Sequence, residues 1–73
     1  MKRYVLNTLP NDSGDHEVHV SSCYELPSYT YQKDLGYHFS CSDAIKAART
    51  IYSNANGCYQ CNRVCHTAAV EVE

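Results

Sequence analysis

The sequence predicts a small α+β domain, a short antiparallel sheet carrying one helix, and three observations predict it. Two stretches alternate polar and apolar residues as strands do, an alanine-rich stretch has helical spacing between a start and a stop signal, and cysteine and histidine are concentrated at the turns. With 73 residues there is one domain, spanning residues 1–73. A chain this short buries a thin core and commonly adds a disulfide, a metal or a partner subunit for stability.

Taken in order, Arg3 to Thr8 reads as a first strand, with Tyr4, Val5 and Leu6 apolar and β-prone, ending at Leu9-Pro10. Asn11 to Asp15 is dense in turn formers and marks a loop. In His16 to Ser21 the alternation puts His16, Val18 and Val20 on one face and Glu17, His19 and Ser21 on the other. With the valines facing the core, His19 faces away from it, on the side of Cys23, and it does not share an ion with His16. Cys23 to Asp34 has no clean period and contains Pro27, so it reads as an ordered loop packed by Leu26 and tyrosines, and Leu35 to Phe39 as a short strand.

Ser40-Cys41-Ser42-Asp43 is a helix start, a hydroxyl cap followed by an acid that the helix dipole favours. The helix should run from Asp43 to about Asn54, burying Ala44, Ala47, Ala48, Ile51 and Ala55 in one stripe, with Asn56-Gly57 as its left-handed terminator. Thr67 to Glu73 alternates again and reads as a C-terminal strand.

Five cysteines and four histidines are far above background for this length. The residues after Met1-Lys2-Arg3 are too short and polar for the apolar core of a signal peptide, and no apolar run is long enough to span a membrane, which predicts a cytoplasmic chain. In a reducing compartment cysteines remain thiols and a Cys/His cluster points to metal, and an odd cysteine count cannot be fully paired. Cys58 and Cys61 form a CxxC after the helix, and His19 and Cys23 form an HxxxC after the second strand. Zinc takes imidazole and thiolate ligands in tetrahedral geometry, so His19, Cys23, Cys58 and Cys61 make a structural zinc set that ties the two halves of the chain together. Cys65 and His66 are alternates, since Cys65 prolongs the thiolate run and His66 follows it directly. Cys61 to His66 also spells a stretched haem-attachment motif, CxxxCH, which lacks the export signal that haem attachment goes with. Cys41 reads as a small buried thiol, His38 as an outward strand residue, and the remaining tyrosines as core or half-buried packing.

The run from His19-xxx-Cys23 through Phe39, the Asp43-Ala44-Ile45-Lys46-Ala47-Ala48 helix start and Gly57-Cys58-Tyr59-Gln60-Cys61 resembles the metal-binding fold of the N-terminal domain of the Ada DNA-repair protein and related zinc modules at the ends of some nucleases. In that domain a cysteine in the first ligand slot accepts a methyl group from DNA. Here the slot is His19, and neither the flanking basic surface nor the proline before the CxxC is present, so the resemblance implies fold and metal without methyl transfer. The whole chain, including Gly14 to His19, Leu26-Pro27, Asn56-Gly57-Cys58 and Cys65-His66-Thr67, is also similar to small stand-alone bacterial and phage-borne proteins without an assigned activity.

The net charge is −2 and the six Lys and Arg are scattered. Phosphate neutralisation supplies most non-specific nucleic-acid affinity, so a DNA or RNA partner is disfavoured. The function expected is therefore a non-enzymatic zinc-stabilised module that binds a protein partner. The alternatives are a metal- or thiol-dependent enzyme or redox protein using Cys58, Cys61, Cys65 or His66, and a nucleic-acid-binding zinc module.

Overall fold

Strand β1 (Lys2–Asn7) is the inner strand on which the sheet is built, because its central residues Tyr4, Val5 and Leu6 are buried on both faces. A computed structural model describes residues 1–66. β2 (His16–Val20) and β3 (Gln32–His38) pair with β1 in antiparallel fashion on either side, and β4 (Ala55–Gly57) pairs with β2 in parallel, giving the order β3-β1-β2-β4. Helix α1 (Cys41–Ala48) covers one face. The result is an α+β fold with a four-stranded sheet that is mixed, where the alternation pattern predicts an antiparallel one. The difference is β4, three residues that carry no period of their own.

The faces follow from register. Tyr4 opposes Val20 and Leu6 opposes Val18, and all four meet Ala44, Ile45, Ala48 and Ala55 on the helix side. Val5 opposes His19 and both turn to the other face, where they are 2 % and 0 % exposed. His19 is therefore fully enclosed although it lies on the face away from the helix.

The stretch expected to be loop as far as Asp34 ends sooner, since β3 begins at Gln32 after a 3-10 turn at Tyr29–Tyr31. A register shift opposite Tyr4/Val5 and Gly36 at φ 81° break the two-residue period, which is why β3 reads as shorter than it is. The helix is likewise shorter than its apolar stripe. Ser40 caps it by accepting from the Asp43 amide at 3.2 Å, and it ends at Ala48. There the Thr50 and Ile51 amides bond three residues back, to Ala47 and Ala48, and the Thr50 hydroxyl donates to Ala47 O at 2.6 Å. This tightened turn leaves Ile51 45 % exposed and swings Ala55 into β4.

Gly57 is not the left-handed terminator that the Asn-Gly pair suggests; among the described residues only Gly14 and Gly36 have positive φ. Its role is close approach. A Cβ there would lie 3.1 Å from Asn62 O and from the carbonyl carbon of Cys65, both backbone atoms that cannot swing aside. Gly57→Ala is expected to cost about 1–3 kcal/mol as an overpacking substitution, measured by urea unfolding. An unchanged midpoint would show that this crossing is loose.

Two expectations about side chains are corrected. Cys41 is not a lone thiol: it is bonded to Cys65, tying the start of α1 to the 3-10 turn Arg63–Cys65. The expectation that a reducing compartment keeps the cysteines as thiols fails for two of the five, since disulfides persist in oxidising surroundings. The tyrosines are not mainly core. Tyr4 is buried and Tyr52 half-buried, whereas Tyr24, Tyr29, Tyr31, Tyr37 and Tyr59 are exposed, as is Phe39 at 82 %. The strand read over Thr67 to Glu73 lies outside the described residues. No described helix is long and apolar enough to cross a membrane.

Candidate metal centre

Four ligand atoms, from His19, Cys23, Cys58 and Cys61, lie within 4.8 Å of one another, and the first three of these residues are buried. Each arrives by a separate backbone device. His19 projects from β2 on the face opposite the helix. Cys23 is fixed by a turn in which its amide donates to Val20 O at 3.0 Å. The CxxC turn leaves the end of β4 and is stitched to β2. The Cys58 amide donates to Val18 O at 2.9 Å, Asn62 Nδ2 donates to the same oxygen at 2.7 Å, and the Asn62 amide closes the turn on Cys58 O at 2.8 Å. Asn62 is 4 % exposed and has no signature in the sequence as a site residue, although a small amide one position after a CxxC is well placed to close such a turn.

The sulfurs are arranged as acceptors. The Val20 amide points at Cys61 Sγ at 3.3 Å, the Glu25 amide at Cys23 Sγ at 3.4 Å, and the Gln60 and Cys61 amides at the sulfur of Cys58. Such donors stabilise thiolate charge and lower its reactivity. Cys23 Sγ and Cys58 Sγ are 4.0 Å apart. Two thiolates bound to one zinc at about 2.3 Å are about 3.8 Å apart across a tetrahedral angle, so this pair needs almost no movement to share an ion.

Without a cation the cluster is electrostatically incomplete. Burial pushes the Cys58 thiol up, and burial together with the neighbouring sulfurs pushes Cys61 up to about 12. Burial also lowers His19, against the opposing pull of Glu17 and Glu25. Both ring nitrogens of His19 lack a hydrogen-bond partner although the side chain is 0 % exposed. A buried polar group left unpartnered costs about 1–3 kcal/mol, so a fully enclosed imidazole facing three sulfurs is a group awaiting a ligand. The donor set fits a divalent, thiophilic ion: three thiolates and one imidazole complete a tetrahedral shell without solvent.

Protons compete for the same atoms. Cys58 and Cys61 are protonated at neutral pH without an ion, so binding must release both protons. Apparent metal affinity should therefore fall on acidification by at least about 100-fold per pH unit below neutrality, read by competition with a chromophoric chelator. A pH-independent affinity would mean that these thiols are not ligands.

The alternates lie elsewhere. Cys65 is held in the disulfide with Cys41, so it is not available as a fourth thiolate. His66 Nδ1 lies 2.9 Å from Gly57 O and its ring meets Tyr59 edge-on at 5.4 Å, which makes it a brace for the knuckle. With Cys65 bonded to Cys41, the stretched haem motif has lost one of its two thiols. His16 is stacked on Tyr52 at 3.7 Å with Nδ1 3.1 Å from Asn7 O, and His38 Nε2 is 2.8 Å from Leu35 O, so both are structural. Comparisons of the chain with protein-family models, curated proteins and solved structures find no match.

Proposed function

We propose that this chain is a zinc-stapled module, without catalytic activity of its own, that works by presenting a surface to a protein partner. The metal half of the reading rests on the four converging ligand atoms and the unpartnered imidazole of His19. Zinc is the ion favoured by a three-thiolate, one-imidazole set. Four protein donors leave no open coordination position, and catalytic zinc needs one. The enzyme alternative also loses Cys65 to the disulfide. The likeness to the Ada metal-binding domain supports the same ligand layout and supplies no activity.

The binding half is carried by one observation, the exposed aromatic surface. Tyr29, Tyr37 and Phe39 are 87 %, 65 % and 82 % exposed. Tyr37 lies opposite Arg3 in the β1–β3 register, and Arg3 pairs with Asp34 at 3.0 Å, so aromatic side chains flank an ion pair at the open edge of the sheet. Tyrosine and arginine are the residue types enriched where proteins dock. A net charge of −2 and scattered cations count against a nucleic-acid partner.

The test is affinity capture from cells of the source with the metal-loaded chain and with the Tyr37→Ser/Phe39→Ser variant side by side. The expected result is a discrete protein recovered by the first and lost with the second, at equal metal content. Identical recoveries would contradict a role for this surface, and salt-sensitive recovery of nucleic acid would favour the third reading.

A further inference from the structure

The two nitrogens of His19 have different surroundings, since only Nε2 lies close to a carboxylate. Glu17 and His19 are two residues apart on β2, so their side chains leave the same face of the sheet. His19 Nε2 lies 3.6 Å from Glu17 Oε1, just beyond hydrogen-bond reach, and no described group is hydrogen-bonded to either nitrogen. Glu17 is itself held. Its other oxygen, Oε2, accepts from Asn11 Nδ2 at 3.0 Å. Asn11 is locked by its own turn, where its Oδ1 accepts from the Ser13 and Asp15 amides at 2.9 and 3.0 Å and its amide donates to Asp15 O at 2.8 Å. A carboxylate anchored on one oxygen and aimed at a buried imidazole with the other has one evident partner, the ring N–H.

We infer that Glu17 is the positioning residue of the metal centre, accepting a hydrogen bond from His19 Nε2–H and so leaving Nδ1 as the metal-binding nitrogen. This rests on the metal reading proposed above. A metal-bound imidazole ordinarily donates its second N–H to a carboxylate or carbonyl, which fixes the tautomer and raises the basicity of the bound nitrogen. The remaining gap between Nε2 and Oε1 closes by a small carboxylate rotation once an ion draws the ring into place. The same arrangement explains the turn at Asn11 to Asp15. It is a loop far from the cysteines in sequence, yet through Asn11 and Glu17 it sets the orientation of a ligand.

Glu17 also lines, with Glu25, Cys58, Tyr59 and Gln60, a cavity of about 200 Å³ on the outer side of the site. The carboxylate is thus part of the wall between the ligands and solvent. Its loss removes the acceptor for the ring.

The experiment is nuclear magnetic resonance of the ¹⁵N-labelled chain loaded with ¹¹³Cd. The expected result is a one-bond cadmium coupling on His19 Nδ1, with Nε2 protonated and its hydrogen slow to exchange. Coupling on Nε2 would overturn the assignment. A chain that binds no cadmium or zinc at all would instead remove the underlying metal reading. In parallel, Glu17→Ala should weaken zinc binding by about 10- to 100-fold with the fold retained in the amide spectrum, and Glu17→Gln, which keeps an acceptor oxygen, should recover part of that loss. Unchanged affinity in Glu17→Ala would equally overturn the proposal.

Discussion

Stripping the metal is expected to unfold this protein. The helix-side core is a thin one, built from Tyr4, Leu6, Val18, Ala44, Ile45, Ala48 and Ala55, in which three of seven side chains are alanine. The other face is closed largely by Val5, His19, Cys23 and Cys58, and three of those four are candidate ligands. Without an ion, that face keeps an enclosed imidazole with no hydrogen-bond partner beside three clustered cysteine sulfurs. Structural zinc contributes on the order of 10 kcal/mol or more to small folds, comparable with the whole stability of a domain, about 5–15 kcal/mol. Chelation, or His19→Ala, should therefore abolish the cooperative thermal transition or lower its midpoint by at least about 20 °C. Circular dichroism with and without chelator checks this, and a transition that is unmoved by metal removal would contradict it.

The second large effect concerns the disulfide. Cys41 and Cys65 are 24 residues apart in sequence, and the loop they close contains most of α1, β4 and the entire CxxC turn. Closing a loop of that length lowers unfolded-state entropy by about 3.5 kcal/mol on the chain-entropy account. The Cys41→Ser/Cys65→Ser double variant should lose about that much, with a fall in thermal midpoint of roughly 15–25 °C, while still binding one ion. Loss of metal binding in the double variant would mean that the disulfide and the metal site form one unit. Stability equal to that of the parent under non-reducing conditions, where the parent keeps its disulfide, would mean that the crosslink contributes nothing. The two staples should also couple, because Cys65 follows Cys61 by four residues and Gly57 packs against both Asn62 and Cys65.

The odd cysteine count follows from this division. Five cysteines resolve into three gathered with His19 and two joined to each other. The count alone signals that complete pairing cannot occur, and it is silent on a mixed solution in which one pair is oxidised beside three thiols. Spacing points to Cys58 and Cys61, and strand parity points to His19 turning away from the helix toward Cys23. Both are local rules, and local rules are what a sequence displays. The Cys41–Cys65 pairing depends on how the chain returns after α1, through a three-residue parallel strand too short to have a period.

The stripe through Ile51 has helical spacing, but whether the last turn persists depends on backbone bonds at Thr50 and Ile51 that tighten it. Gly57 is demanded by a contact with residues five and eight positions ahead, so the Asn-Gly pair suggests a turn that the fold does not use. The tyrosines mislead for a compositional reason. An apolar ring with a polar tip fits a core or a surface equally well, and in this chain five of seven are at the surface. Glu17, on the face the alternation already assigns to His19, could have been noticed as a neighbour, but its alignment by Asn11 is visible only in three dimensions.

The proposed ion of His19, Cys23, Cys58 and Cys61 stands on four converging ligand atoms. X-ray absorption spectroscopy at the zinc edge, on protein whose metal content has been measured by native mass spectrometry, tests it most directly. The result predicted is one zinc per chain in a shell of three sulfurs and one nitrogen, shifting to two sulfurs in Cys58→Ser. A folded chain carrying no ion, or a shell of four sulfurs that recruits Cys41 or Cys65 in place of His19, would contradict it.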